Sequence, residues 1–165
     1  MIVVSDTSPI NNLAAIGVLH LLKELYGEVT IPEAVYRELT EPKFPVAGAA
    51  EVKTFDWIQT QAVSNQTIIE ALSSELDPGE AEAIALAIEL KAGQVLIDER
   101  RGRQVASRFN LRYTGVLGIL IEAKGQGLVP AVKPLLDALI ERAGFWIGKP
   151  LYDRVLQFTG ETEYE

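Results

Sequence analysis

Short apolar runs alternate with helical stretches along the whole chain. Ile2, Val3 and Val4 open it as a buried strand. Ser8 then offers an N-cap and Pro9 a first helical residue, followed by Leu13, Ile16, Leu19, Leu22 and Leu25 at helical spacing. Gly17 reads as a joint in that stretch and Gly27 as its stop. Residues 29–31 predict a second strand, and the stretch PEAVYREL a helix that closes before Pro42. Residues 42–66 are the least regular part, with a short strand predicted in FDWIQT, and residues 67–76 read as a short helix. Asp77-Pro78-Gly79-Glu80 opens the clearest helix of the chain: Asp at N-cap, Pro at N1, Glu at N3, an Ala-rich body and Gly93 at the end. Residues 94–97 form the next buried strand, which stops at Asp98-Glu99. An Arg-rich helix over 100–109, a short strand at 111–113, helices over 114–124 and 130–142, a strand at 145–147 and a helix over 149–158 complete the pattern.

Strands that alternate with helices pair in parallel through right-handed crossovers. The expected fold is therefore α/β, a three-layer α/β/α sandwich around a central parallel sheet of four to five strands. The 165 residues contain no internal repeat or linker, so residues 1–158 read as one domain and 159–165 as a flexible acidic tail.

Composition narrows the chemistry. Apolar residues make up 48%, which excludes a disordered chain. There is no Cys, so disulfides and Cys-ligated zinc or iron–sulfur centres are excluded, and a single His leaves little for a Ser–His machine. No apolar run of membrane-spanning length and no basic, apolar leader is present. The expectation is a soluble cytoplasmic protein with no membrane partner. The net charge of −8 argues at face value against nucleic acid. It is unevenly spread, however: residues 1–99 carry 5 basic and 16 acidic side chains, residues 100–165 carry 10 and 7.

In an open parallel sheet, ligands collect beyond the carboxyl ends of the strands. Asp6 follows the first strand and Asp98 the strand over 94–97, so the fold brings both to one edge. Glu80 shares a helical face with Ile84, Ala87 and Ile88. Its spacing from Asp77 is that of a capping box, yet a carboxylate at the end of a buried stripe needs a cation or donors. Glu38 lies with Ile31, Val35 and Leu39 on one side of its helix, and taken alone reads as a surface residue beside Arg37. Carboxylates without His or Cys suit a hard cation with oxygen ligands, Mg²⁺ or Mn²⁺. Such a site serves phosphoester hydrolysis by activating water and neutralising phosphate oxygens. Arg100, Arg101, Arg103, Arg108 and Arg112 follow Asp98 closely, and read either as a solvated face or as a phosphate-gripping edge.

The ordered set VVSDTSP, VYREL, LDPGEAEAIALA, VLIDERRGRQVA and GVLGILIEAK resembles the PIN-domain family over residues 2–157, and most resembles its VapC-like toxin branch with the DTSP and GEAEAI signatures. The resemblance implies a metal-dependent endoribonuclease, a hydrolase often paired with an antitoxin protein and often a homodimer or higher oligomer. It implies Asp6, Glu38, Glu80 and Asp98 as the catalytic acids, with Asp6, Asp98 and Glu80 on the metal, and Ser8 as a hydroxyl that orders the site. Arg100, Arg101 or Arg103 would hold the RNA backbone. Two positions depart from the pattern: Glu80 stands where many members have Asp, and Leu96 where many have Thr or Ser, which leaves Glu99 as a spare ligand. A catalytically silent binding module is the alternative, and a metal-dependent phosphatase a third, although Ser8 stands where that chemistry wants a second Asp. Phe44, Phe55 and Trp57 offer apolar surface for self-association or fill the core.

Overall fold

The computed structural model describes residues 1–41, 43 and 45–162. Among them are five strands and ten helices, including a helix over 49–54 in the stretch read as irregular. They are β1 (Val3–Ser5), α1 (Thr7–Ala15), α2 (Leu21–Tyr26), β2 (Val29–Pro32), α3 (Glu33–Thr40), α4 (Ala49–Thr54), β3 (Ile58–Gln61) and α5 (Gln66–Leu72). The chain continues through α6 (Pro78–Leu90), β4 (Gln94–Leu96), α7 (Arg100–Arg108), β5 (Tyr113–Thr114), α8 (Val116–Gly125), α9 (Lys133–Arg142) and α10 (Lys149–Phe158). All pairings in the sheet are parallel, in the order β3-β2-β1-β4-β5. The fold is the expected α/β/α sandwich.

The period-2 alternation of a strand decides which layer each residue fills. Val3, Val29, Ile31 and Leu96 point to one face, where Ile10, Leu13, Leu21, Leu22, Ile119, Leu120 and Leu136 pack. Val4, Val95 and Ile97 point to the other, against Ala83, Ile84, Ala87 and Val105. Helix α6 is apolar nearly all round because it is enclosed nearly all round: Ala81, Ala83, Ile84, Ala85, Leu86 and Ala87 are fully buried. Its Ala side chains let it sit close to the sheet.

The strand order also places the site. From central β1 the chain moves outward to β2 and β3, then returns across the sheet to β4 on the other flank of β1. The connections reverse direction between β1 and β4, and a crevice opens at their carboxyl ends. Asp6 and Asp98 follow those two ends, where Ser5 and Leu96 are in register.

Several local expectations change. Residues 145–147 form no strand; the sheet ends at β5, and this segment runs on the surface into α10 with Trp146 85% exposed. The N-cap of α1 is Asp6 rather than Ser8. Helix α6 ends at Lys91, which adopts the left-handed conformation, two residues before Gly93. Trp57 is buried and stacks on Phe55, ring centroids 5.6 Å apart, so of this pair only Phe55 offers much surface; Phe44 lies outside the described residues. Glu161, which the sequence places in the flexible tail, is tied down: it accepts from the Val132 and Lys133 N–H groups and from Lys124 Nζ at 2.9 Å. Residues 163–165 lie outside the described residues.

Candidate metal and phosphoester site

Two carboxylates occupy the buried part of the crevice. Asp6 is 4% exposed and Glu80 7%. Asp6 leaves β1 with its N–H bonded to the Leu96 carbonyl at 2.9 Å, which locks the strand end to β4. Burial pushes its carboxyl up to about 7; the Thr7 N–H pulls the other way, and Asp77, Glu38 and Asp98 add to the rise. Burial likewise lifts Glu80 to about 8, with the Asp77 carboxyl lying against it and Asp6 and Glu99 nearby. Both groups are thus short of compensating positive charge.

The other two predicted acids stand around this pair. Asp98 is held on both oxygens: Ser8 Oγ donates to Oδ2 at 2.8 Å, and the Val116 N–H at the start of α8 donates to Oδ1 at 2.7 Å. Glu38 lies at the open rim on α3. Thr7 Oγ1 donates to its Oε2, and the Gly79 N–H also reaches its carboxyl. A Cβ on Gly79 would fall 2.6 Å from Glu38 Oε1, so the absence of a side chain there is what admits the carboxylate. Loss of water on that packed side moves Glu38 upward, and Asp77 and Glu82 reinforce the shift against Thr7 and Gly79.

The structure thus gathers Asp6, Glu38, Glu80, Asp98 and Ser8 at one sheet edge. Among the described residues, no three or more acids converge closely enough to form a ready-made metal cage. Instead Thr7 and the Gly79 N–H hold Glu38, while Ser8 and the Val116 N–H hold Asp98. The donor set is nonetheless all carboxylate oxygen, and its buried members lack a counter-charge. That chemistry fits a hard divalent cation and no soft one.

The arginines separate. Arg103 comes to the site, with Nε donating to the Ile97 carbonyl at 3.1 Å and Nη2 4.0 Å from Asp98 Oδ1. Arg100 is exposed. Arg101 and Arg108 turn to α5 and its following loop, where Nη1 of Arg101 donates to the Glu75 carbonyl and Arg108 pairs with the Glu75 carboxylate. Glu99 is exposed at the N-cap of α7.

Three contributors escape the sequence reading. Asn12 is buried and donates from Nδ2 to Ser8 Oγ at 3.0 Å, completing a relay from Asn12 through Ser8 to Asp98. The signal was a second polar residue one turn after Ser8, at the i+4 position on the same face of the helix. Asp77 caps α6 through the Glu80 N–H at 2.9 Å, as the pattern predicts, but its charge also faces Asp6, Glu38 and Glu80. Glu82 accepts from the Ala34 N–H at the start of α3, lies 3.6 Å from Arg37 and adds its charge near Glu38.

A family model described as a PIN domain, DUF3368, matches residues 2–161. The chain belongs to the PIN-domain family. No curated protein matches it. PIN domains are generally nucleases that act on RNA and typically use divalent metals, so membership makes a nuclease-type hydrolase the general class of this protein. The acidic crevice stands at the switch point of the PIN sheet. Among the described residues, no helix is long and apolar enough to cross a membrane.

Proposed function

We propose that this PIN-domain protein is a Mg²⁺- or Mn²⁺-dependent endoribonuclease that leaves a 5′-phosphate and a 3′-hydroxyl. The observation that carries the reading is the buried Asp6–Glu80 pair, to which Glu38, Asp77 and Asp98 add further negative charge. Asp6, Asp98 and Glu80 would hold the ion, with Glu38 completing the shell through water. Bound there, the ion supplies positive charge against the phosphate and acidity for the attacking water. The chain does the rest by positioning. Ser8, backed by Asn12, and the Val116 N–H set the direction of the Asp98 oxygens. Thr7 does the same for Glu38. Arg103 stands beside Asp98 with a planar guanidinium matched to phosphate oxygens, and exposed Arg100 extends the cationic edge. Arg101 is the weaker candidate for the backbone because Glu75 already engages it.

The deciding experiment is cleavage of single-stranded RNA with Mn²⁺ by the wild type and by Asp6→Asn. Loss of cleavage in the variant is expected, since one negative ligand is removed; equal cleavage by both overturns the assignment. The competing reading, a silent PIN-like binding module, draws on the splayed carboxylates. Calorimetry separates the two: tight Mn²⁺ binding that disappears in Asp98→Asn counts against silence. The finer role of toxin in a toxin–antitoxin pair, acting as a homodimer or higher oligomer, rests on the family resemblance. It is tested by looking for an antitoxin-like reading frame beside the gene and by the mass of the protein in solution.

A further inference from the structure

Directly beside Asp98 opens a groove of about 380 Å³ between β5, α8 and α10. Arg103 and Tyr113 line it together with the apolar side chains of Leu117, Ile121, Leu151 and Val155. None of these groups is used by the site as described, apart from Arg103. We propose that the groove receives one unpaired nucleobase of the RNA strand, from the nucleotide that flanks the phosphate at Asp98. The inference rests on the ribonuclease reading and adds to it a subsite for the base that flanks the scissile phosphate.

Four observations converge on this occupant. First, the groove is continuous with the site. Gly115 lies between them, and a Cβ there would fall 2.4 Å from Arg103 Nη2 and 2.8 Å from Asp98 Oδ1, so bare backbone is all that separates carboxylate from groove. Second, the wall is an aromatic with a cation over it. Tyr113 is 43% exposed, and the Arg103 guanidinium lies 6.0 Å from its ring centroid. Unpaired bases stack on tyrosine rings and on guanidinium planes, and the same guanidinium can meet a phosphate. Third, the lining combines what a nucleotide needs: one cation, Arg103, 4.0 Å from Asp98 Oδ1, with aromatic and aliphatic surface. Fourth, the volume is at the low end for ligand pockets, enough for one nucleoside. Reading by stacking tolerates many bases, so the groove selects single strands over duplex more than it selects a sequence.

The test measures binding by fluorescence anisotropy, with Ca²⁺ as the ion, using an end-labelled ten-nucleotide RNA, the same strand carrying abasic nucleotides, and its duplex. Tyr113→Ala should weaken binding of the intact strand roughly 5- to 150-fold, while Tyr113→Phe keeps it. The abasic strand should bind the wild type as weakly as the intact strand binds Tyr113→Ala, with no further loss when both changes are combined. Leu151→Glu, at a half-exposed lining position on α10, should weaken the intact strand as well and guards against a folding defect at β5. Equal affinity of the wild type for intact and abasic strands, equal affinity for duplex, or no binding of any strand overturns the proposal. Unchanged RNA affinity with loss of a co-purifying protein in Tyr113→Ala overturns it in favour of a protein occupant. Base-dependent binding without any cleavage under Mn²⁺ would sink the nuclease reading and leave the groove assignment standing.

Discussion

Asp6→Asn probes the electrostatics of the crevice through folding stability, independently of any substrate. The folded carboxyl is 4% exposed and is carried from its ordinary 3.8 to about 7 by burial, with help from Asp77, Glu38 and Asp98. In the unfolded chain the same group ionises near its ordinary value, about 3.9. Between those values the folded protein keeps a proton that the unfolded chain has released. Stability must therefore fall as the pH rises from about 4 to about 7, and stay low above it. At about 1.4 kcal/mol per pH unit, ionising Asp6 in the metal-free protein costs up to about 4 kcal/mol at pH 8, less whatever the neighbouring acids absorb by taking up the proton instead. Asn has the same shape and no charge to bury. In EDTA, Asp6→Asn should gain on the wild type by about 2–4 kcal/mol between pH 4 and pH 8, read from urea unfolding at several pH values. Excess Mn²⁺ should then stabilise the wild type and leave the variant nearly unmoved. A gap between the two proteins that stays constant across this range would refute the reasoning, because a group that does not change ionisation on folding gives no slope.

Three further outcomes are expected. Gly79→Ala would place a Cβ 2.6 Å from Glu38 Oε1 and force that carboxylate away; RNA cleavage should fall on the order of 10- to 100-fold while the melting temperature moves little. Asn12→Ala removes the donor that holds Ser8 on Asp98, and calorimetry should show Mn²⁺ affinity reduced by roughly 10- to 100-fold with enthalpy of unfolding near that of the wild type. Glu161→Gln exchanges the carboxylate that bonds Val132, Lys133 and Lys124. Burial pushes that carboxyl up, but these donors outweigh it and bring it down to about 2. Its contribution is present above about 4.5 and is lost as the pH falls toward 2, so the variant should be about 1–3 kcal/mol less stable at pH 7 and the difference should shrink in acid.

The legible parts of the fold are those where one local signal dominates. Helix α6 could be read from Asp77 and Pro78 alone, because a helix start needs its free N–H groups satisfied and a residue that tolerates a missing one. The strand at 145–147 was misread because three apolar residues in a row say nothing about whether a neighbouring strand is available. Ser8 was misread as an N-cap for a related reason. Its hydroxyl can bond its own backbone or a distant carboxylate, and Asp98, 90 residues away, is brought within 2.8 Å only by the β1–β4 pairing. The arginines after Asp98 were legible as a group but not one by one, since each step along α7 turns a side chain by about 100°, toward Glu75 or toward the crevice.

The sequence by itself determined most of the elements, their alternation and hence the parallel α/β class, and it marked Asp6 and Asp98 as residues at strand ends. Those follow from hydrogen bonding and hydrophobic period, which act over a few residues. The tertiary structure decided which acids lose their water, that Asp77 joins them, that Asn12 and Ser8 hold Asp98, and that Arg103 rather than Arg101 faces the crevice above an aromatic groove. Those outcomes depend on desolvation and on distances between segments far apart in the chain. Both are set by the strand order β3-β2-β1-β4-β5, which no local pattern in the sequence encodes.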